Sequence, residues 1–390
     1  MRPELRAPSA HHPKPRGGGW RGAAARSSAA LLLAAATASC GALNSMKSRG
    51  PGTEKGDTAG GVVAPPGGGA SGSPSPAGGG GSGPSPREYP ALAYDAARRR
   101  VILFGGYFHD TRTIFGDTWE WDGSGWRLLK TGGPAARDDH VMACDSARGR
   151  VVLFGGWNDG TIFQDTWEWD GSAWRKMADG GPPGGDVPAM TYDSRRRRVV
   201  LFGGYYERGG KGLRSGETWE WDGANWRQVA SGGPAPRASH AMAYDAARGR
   251  VVLFGGSDGE NSLGDTWLWD GTRWEKSAAT GPAPRSNHSM AYDTARARVL
   301  LFGGSGAGPD APFGDTWEWD GANWRKAADA GPPARVGNNI MAEDESRARL
   351  VLFGGRSGAQ RLGDTWEWDG RRWTEVGARR PQVPGDEHGR

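Results

Sequence analysis

The chain has 390 residues, of which 67 are glycine and 26 are proline, and they show no three-residue period, which excludes a collagen-like rod. The formal net charge is +5, but residues 1–39 alone hold six bases and one acid, so residues 40–390 are neutral overall. Neutrality argues against a nucleic-acid partner, and two cysteines are too few for a disulfide framework.

Residues 1–39 have the pattern of an export signal. A basic segment is followed by the apolar stretch Ala29–Ala38, which as a helix would span only about 15 Å, half of a bilayer core. The sequence Thr37-Ala38-Ser39-Cys40 at its end resembles the lipobox of bacterial lipoproteins, which implies a lipid on Cys40 as the mature N-terminus. We therefore predict a lipoprotein-type signal peptide at 1–39. An ordinary secretion signal and a cytosolic Ala-rich head remain alternatives.

Residues 40–86 are dominated by Gly, Pro, Ser and Ala, a composition that buries too little apolar surface to fold. We predict a disordered linker there and a disordered tail at 378–390. In the lipoprotein family an Asp after the cysteine tends to retain proteins at the inner membrane, and Gly41 stands at this position instead. The resemblance thus implies an exported protein at the outer membrane or cell surface, in contact with the membrane only through its lipid.

One sequence unit occurs six times after residue 86, at spacings of 48 to 52 residues. The tripeptide Phe-Gly-Gly begins at Phe104, Phe154, Phe202, Phe254, Phe302 and Phe353. The pattern [DE]-Thr-Trp begins at Asp117, Asp165, Glu217, Asp265, Asp315 and Asp364. The third landmark is the tryptophan that follows the Trp-Asp-Gly-x-x sequence of each unit. These tryptophans are Trp126, Trp174, Trp226, Trp274, Trp324 and Trp373. Self-similarity at this period indicates a propeller or a solenoid.

Each unit predicts four short strands, a to d. In the fourth unit, strand a covers His240–Asp245 and strand b is the continuous apolar run Val251–Phe254, typical of a strand covered on both faces. Strand c is Asp-Thr-Trp-Glu-Trp, whose alternation puts both tryptophans on one face. An Asp-Gly hairpin then leads into strand d, which carries the third Trp. No helical periodicity appears in 87–377.

Four-stranded units in which Gly-Gly closes the second strand and a Trp lies in the fourth resemble kelch repeats. The resemblance implies an all-β, six-bladed β-propeller over residues 87–377, with four antiparallel strands in each blade. The chain enters with strand a of the first blade and leaves with strand d of the sixth. No surplus strand remains to be exchanged between them, so we expect ring closure by side-chain packing.

Residues that recur in every unit encode the blade, so function should lie where the units differ. By this argument Asp117 and its equivalents accept structural hydrogen bonds, which we expect to come from backbone amides near the Gly-Gly turn. The loops between strands b and c differ most, and the first three place aromatic residues directly after the glycines. We predict a ligand-binding surface comprising Tyr107, Phe108, His109, Trp157, Asp159, Tyr205, Tyr206, Glu207 and Arg208. The alternative is that these rings pack only onto their own loops.

A second candidate group lies at the start of strand a. His140, His240 and His288 occupy this position in the second, fourth and fifth units. Because inner strands line the channel of a propeller, these imidazoles could face its mouth and contribute to ligand binding. No acidic partner recurs beside them, so we predict no metal site.

The sequence contains no C-x-x-C or H-E-x-x-H pattern, so we predict no enzyme activity and no cofactor. Galactose oxidase, a kelch-fold enzyme, needs a Tyr–Cys crosslink. Cys144 occupies the place of a strand-a Tyr such as Tyr244, so we expect it to be a buried packing residue and not part of such a crosslink. The combined prediction is a monomeric, non-catalytic binding module at a bacterial cell envelope that recognises a protein partner through the b–c loops. The alternative is a carbohydrate-binding or carbohydrate-active protein that uses the mouth of the channel.

Overall fold

The computed structural model describes residues 83–129, 131–306, 311–338 and 340–377. The predicted signal peptide, Cys40, most of the predicted linker and the predicted tail lie outside these residues. Within the described residues, no helix is long and apolar enough to cross a membrane.

Six antiparallel sheets, each with its four strands in the order a-b-c-d, form the six blades, numbered here in chain order. Strands a are Ala91–Asp95, Val141–Asp145, Ala189–Asp193, Ala241–Asp245, Ser286–Asp293 and Met341–Asp344. Strands b are Arg100–Phe104, Arg150–Phe154, Arg198–Phe202, Arg250–Phe254, Arg298–Ser305 and Arg349–Phe353. Strands c are Thr118–Trp121, Thr166–Trp169, Thr218–Trp221, Thr266–Trp269, Thr316–Trp319 and Thr365–Trp368. Strands d are Trp126–Leu129, Trp174–Ala178, Trp226–Ala230, Trp274–Lys276, Trp324–Ala328 and Trp373–Val376.

Four of the b–c loops form short hairpins of their own. These are Tyr107–Phe108 with Thr113–Ile114, Trp157–Asn158 with Thr161–Ile162, Tyr205–Arg208 with Lys211–Arg214, and Arg356–Ser357 with Gln360–Arg361. Two 3₁₀ turns, His109–Thr111 and Glu345–Arg347, are the only helical segments in the described residues. The all-β, six-bladed architecture predicted from the sequence is confirmed.

The core consists of layers between adjacent blades. In blade 4, Val251, Val252, Leu253 and Phe254 are all 0% exposed, because this strand b is covered by neighbouring blades on both faces. One such layer joins Val252 and Phe254 to strands b, c and d of blade 5. This sandwiching explains why strand b has no polar face in the sequence.

One hydrogen bond recurs at all six seams between blades. The indole Nε1 of the Trp in strand d donates to the Thr hydroxyl of strand c in the preceding blade, at 2.7–3.0 Å. The donor and acceptor pairs are Trp126–Thr365, Trp174–Thr118, Trp226–Thr166, Trp274–Thr218, Trp324–Thr266 and Trp373–Thr316. The first pair joins blade 1 to blade 6 and therefore closes the ring.

Among the described residues, the seam between blades 6 and 1 contains no exchanged strand, as the sequence predicted. Leu103 and Trp121 of blade 1 pack against Val351 and Phe353 of blade 6 in one buried cluster. Backbone hydrogen bonds add to this packing, because the Arg87 N–H donates to the Leu362 carbonyl at 3.1 Å and the Gly355 N–H donates to the Arg87 carbonyl at 2.9 Å. Closure thus uses main chain as well as side chains.

Candidate functional site

In each blade, a residue near the start of strand a pairs with the residue after Gly-Gly. The pair is an isolated antiparallel bridge in five blades and belongs to the ladder of strands a and b in blade 5. In blade 2 the Asp138 N–H donates to the Trp157 carbonyl at 3.1 Å, with the reciprocal bond at 2.9 Å. The six bridged pairs are Glu88–Tyr107, Asp138–Trp157, Asp186–Tyr205, Ala238–Ser257, Ser286–Ser305 and Val336–Arg356. Directly opposed residues of an antiparallel pair project to the same side, so each pair presents both side chains together.

Blades 1 to 3 differ from blades 4 to 6 at these positions. Each of the first three pairs joins a carboxylic acid to an aromatic ring, whereas the last three contain no acid and no ring. We call the first three pairs, Glu88–Tyr107, Asp138–Trp157 and Asp186–Tyr205, the acid–aromatic crescent. It occupies three consecutive blades, so it forms half of the ring around the channel.

Two carboxyl groups of the crescent lack compensating charge. Asp138 and Asp186 are each 5% exposed, and Oδ1 of each has no hydrogen-bond partner among the described residues. Burial, together with the negative charge of Asp186, raises the pKa of Asp138, and burial also raises the pKa of Asp186. Asp139 lies beside them with its own Oδ1 unpartnered, and burial and the neighbouring carboxyls raise its pKa well above the usual range.

The third carboxyl of the crescent is neutralised. Glu88 is 4% exposed and forms ion pairs with two arginines of the blade 6 hairpin. Arg356 Nε lies 3.1 Å from Oε2, and Arg361 Nε lies 2.8 Å from Oε1. Glu88 therefore differs from Asp138 and Asp186 in having cationic partners within the chain.

A series of five backbone hydrogen bonds runs beside this mouth of the channel from blade 1 to blade 6. Successive N–H groups at one position donate to the carbonyl of the equivalent residue in the preceding blade, at 2.8–3.3 Å. The residues are Tyr89, Asp139, Val187, Ser239, Asn287 and Gly337. The first five have φ between 43° and 56°, a left-handed conformation that is costly for a β-branched residue such as Val187. These five bonds hold the backbone beside the crescent.

In five of the six blades, a buried arginine directly precedes the bridged residue near the start of strand a. Arg87, Arg137, Arg237, Arg285 and Arg335 are 0–1% exposed. Arg137, for example, donates to the Gly155 carbonyl at 2.8 Å and to Asp165 Oδ1 at 2.6 Å. The expectation that Asp117 and its equivalents accept from backbone amides is therefore wrong, since Asp117 accepts from Arg87 at 2.6 Å and from Trp119 Nε1 at 2.7 Å. Blade 3 has Gly185 in place of the arginine.

A known protein family matches the second half of the chain. A family model described as the KLHDC2/KLHL20/DRC7 Kelch-repeats domain matches residues 189–389, just over half of the chain. The chain belongs to the Kelch-repeat family. No curated protein matches it. Kelch propellers are typically non-catalytic modules for protein interaction, which is the class that the fold supports here.

The predicted aromatic residues of the kelch propeller divide into two sets. Tyr107, Trp157 and Tyr205 are half-buried members of the crescent. Phe108 and Tyr206 occupy the next positions of the same hairpins, and alternation along a strand directs them to the opposite side. The structure thus brings three of the five rings to equivalent places beside the channel.

The polar candidates lie farther out on the same loops. His109 is 63% exposed in the 3₁₀ turn of blade 1. Asp159 is at the exposed tip of the blade 2 hairpin with φ of 45°. Glu207 and Arg208 are exposed near the tip of the blade 3 hairpin, where the Tyr205 hydroxyl donates to Glu207 Oε1 at 3.4 Å. These four residues border the crescent without filling it.

The three histidines do not face the channel mouth, and that expectation is wrong. His140, His240 and His288 are 1–2% exposed, and each ring packs edge-on against the Phe of strand b in the preceding blade, with centroids 5.4–5.6 Å apart. Burial and the nearby Arg137 lower the pKa of His140 to about 3, and burial and Arg285 do the same for His288. These imidazoles are neutral packing groups of the seams. Across the residues that the structure describes, no group of three or more His, Cys, Asp or Glu could hold a metal ion.

Sequence reasoning missed the acids of the crescent. A signal was present, because the segments Arg87–Pro90, Arg137–His140 and Gly185–Pro188 carry an acid at their second position and the corresponding segments of blades 4 to 6 do not. Its meaning depends on the pairing of this position with the b–c loop of the same blade, and that register is visible only in the fold.

The opposite end of the channel is a weaker candidate. A cavity of about 220 Å³ there is lined by strand a of all six blades, largely by Ala, Met and Tyr. Tyr94 accepts a hydrogen bond from the Ser346 N–H of the neighbouring turn at 3.1 Å, so its hydroxyl is engaged in the ring. Burial raises the pKa of Cys144 to about 12, which keeps this thiol protonated and unreactive.

Proposed function

We propose that this kelch propeller is a non-catalytic binding module that recognises a protein partner through the b–c loops of blades 1 to 3. The observation that carries the proposal is the restriction of acid–aromatic pairs to three consecutive blades of an otherwise regular ring. Half-buried Tyr and Trp side chains are the groups that most often dominate protein interfaces, since they bury large areas at low entropic cost.

A crosslinking pull-down from native envelopes tests this proposal. The wild-type chain is compared with a variant in which Tyr107, Trp157 and Tyr205 are all changed to Ala. The matched control carries Ala at Ser257 and Ser305, the equivalent positions of blades 4 and 5, which have no ion pair with the crescent. We expect a discrete partner that the wild type and the control capture and the aromatic variant loses. Equal capture by all three chains would remove the crescent from partner binding.

The carbohydrate alternative has lost part of its support. It relied on His140, His240 and His288 at the channel mouth, and these rings are buried in the seams. Glu207 and Arg208 remain exposed, and they lie near the tip of the blade 3 hairpin. Protein recognition over an open face is therefore the better proposal.

The second part of the proposal is the cellular location, which the sequence of residues 1–41 supports. We propose export and attachment of the protein to a bacterial envelope by a lipid on Cys40. Detergent phase partitioning of the wild type and Cys40→Ser tests this directly. The wild type should enter the detergent phase and the variant should remain in the aqueous phase. A wild-type chain found only in the aqueous phase would contradict lipid anchoring.

A further inference from the structure

The crescent and the adjacent Asp139 contain buried carboxyl groups that have no counter-charge among the described residues. Asp138, Asp139 and Asp186 form no ion pair with any described basic side chain, and each has a buried Oδ1 without a hydrogen-bond partner. A buried carboxyl without compensation is destabilising, and such groups persist mainly where they bind something. Arg214, on the blade 3 hairpin, has its guanidinium beside Gly259 of blade 4.

The same ring of positions provides an internal example of how such a carboxyl is satisfied. Glu88 occupies in blade 1 the place that Asp138 and Asp186 occupy in blades 2 and 3, and it receives the guanidinium groups of Arg356 and Arg361. These arginine side chains are themselves only 15% and 13% exposed. An acid at this position is therefore accessible to a guanidinium that approaches over the loop face.

The aromatic members of the crescent favour the same kind of ligand. A cation over the face of a Trp or Tyr ring is attracted by the ring's quadrupole. The chain already contains this contact next to the crescent, at the residues that precede Glu88 and Asp138. The guanidinium of Arg87 lies 3.9 Å from the centroid of the Phe115 ring, and that of Arg137 lies 3.9 Å from the centroid of the Phe163 ring. Rings and carboxyls that project to the same side offer a cation both kinds of contact at once.

We infer that the acid–aromatic crescent binds a basic side chain of the partner, with arginine preferred to lysine, through Asp138 and Asp186 and the rings of Trp157 and Tyr205. Arginine is preferred because its planar guanidinium can bond a carboxylate through two N–H groups while it stacks on a ring. This inference rests on the proposed function and specifies the chemistry of the partner segment: exposed, basic and rich in arginine.

Fluorescence anisotropy with dye-labelled peptides tests the inference on the full chain. The probes are octapeptides of alternating Gly with Arg, Lys or Glu, and spermine serves as a competitor that carries charge without a guanidinium. We expect binding in the order Arg, Lys and then no binding of the Glu peptide, with weak competition by spermine. Spermine that competes as well as the Arg peptide would show a general polycation site and overturn the preference for a basic side chain.

Two double variants with the same change in charge locate the site. Asp138→Asn with Asp186→Asn removes the unpaired acids, and Asp179→Asn with Asp329→Asn removes two exposed acids elsewhere, which are 85% and 76% exposed. The first should weaken binding of the Arg peptide at least about tenfold, since bonds to charged groups are the stronger kind. The second should change it less than about twofold, because exposed charges contribute little. Equal effects would overturn the inference.

A pH profile of the wild type provides a measurement that does not depend on the folding of variants. The charged and titratable groups in and beside the crescent are Glu88, Tyr89, Tyr107, His109, Asp110, Asp138, Asp139, Asp159, Asp186, Tyr205, Glu207, Arg208, Arg214, Arg356 and Arg361. Only the three unpaired aspartates have pKa values raised towards neutrality, and a protonated carboxyl does not attract a cation. Binding should therefore weaken as pH falls from 8 to 6, whereas binding governed by ordinary surface acids would stay constant over that range and overturn the inference.

The two proposals can fail separately. A partner that is lost with the aromatic variant, together with no binding of the Arg peptide, would support protein recognition and refute a basic ligand. Binding of the Arg peptide that depends on Asp138 and Asp186, together with no partner captured in the pull-down, would support the site chemistry and leave the proposed protein partner refuted.

Discussion

Each blade contains three repeated tryptophans, and their indole groups lie in three different environments. In blade 2, Trp167 Nε1 donates to Asp165 of its own strand at 2.8 Å, and Trp174 Nε1 donates to Thr118 of the preceding blade at 3.0 Å. Trp169 is 1% exposed within the layer between blades. The sequence predicted that these rings pack the blades together. It could not identify the hydrogen-bond acceptors, because one of them belongs to another blade.

The uncompensated acids lead to a prediction about stability. The pKa of Asp138 is higher in the folded chain than its unfolded value of about 4, so the folded state binds the proton more tightly. The folded state therefore loses stability as pH rises from the unfolded pKa through the folded pKa. Asp138→Asn removes the ionisable group and should raise the melting temperature at pH 8, by about 2 °C for each kcal/mol gained. The gain should shrink towards zero at pH 4.

Thermal melting at the two pH values checks this prediction. Asp179→Asn, at an exposed position, is the control and should have little effect at either pH. A lower melting temperature for Asp138→Asn at pH 8 would mean that the carboxylate contributes to folding. A carboxyl that destabilises the fold is instead expected where function requires it.

At the scale of strands and loops, local pattern predicted the regular elements and missed the irregular ones. The apolar run of strand b and the alternation of strand c correspond to Arg250–Phe254 and Thr266–Trp269 in blade 4. The b–c hairpins and the bridges to the residues before strand a were not predicted, because they depend on register between segments that are distant in sequence. The histidines were assigned to the wrong surface for the same reason, since periodicity does not distinguish a channel from a seam.

The recurring Trp–Thr bond leads to a prediction at this scale. Thr218→Val keeps the shape of the side chain but removes the acceptor of Trp274 Nε1, which lies 2.8 Å away in a buried seam. A buried N–H without a partner should lower the free energy of unfolding by about 1–2 kcal/mol. Urea unfolding followed by tryptophan fluorescence measures this change. Thr374→Val, on an exposed position of strand d, is the matched control. Equal values for the two variants would show that the seam bond contributes nothing.

At the scale of the whole ring, the six seams share the Trp–Thr bond, whereas the residues of the loop face differ from blade to blade. The Trp–Thr bond, the apolar layer and the backbone bonds near the Gly-Gly turn at the junction of blades 6 and 1 match those at the other junctions. The crescent covers only blades 1 to 3. Regular seams hold the scaffold together, and differences among blades on one face provide the candidate for recognition.

The chain termini lie between blades 6 and 1, where the ring is closed by the same kind of Trp–Thr bond as at the other seams. This closure has a consequence for gene order, because we expect that the termini could lie at another seam. Ten residues separate Ala178 from Ala189, and joining Gly377 directly to Gly83 would leave nine between Val376 and Ala91. A circular permutant with this joint and new termini between Gly232 and Gly233 should fold to the same circular dichroism spectrum and bind the Arg peptide as the parent does. Failure to fold would show that the native opening is required. Success would mean that the opening of the ring can move to another d–a connection without a new kind of closure.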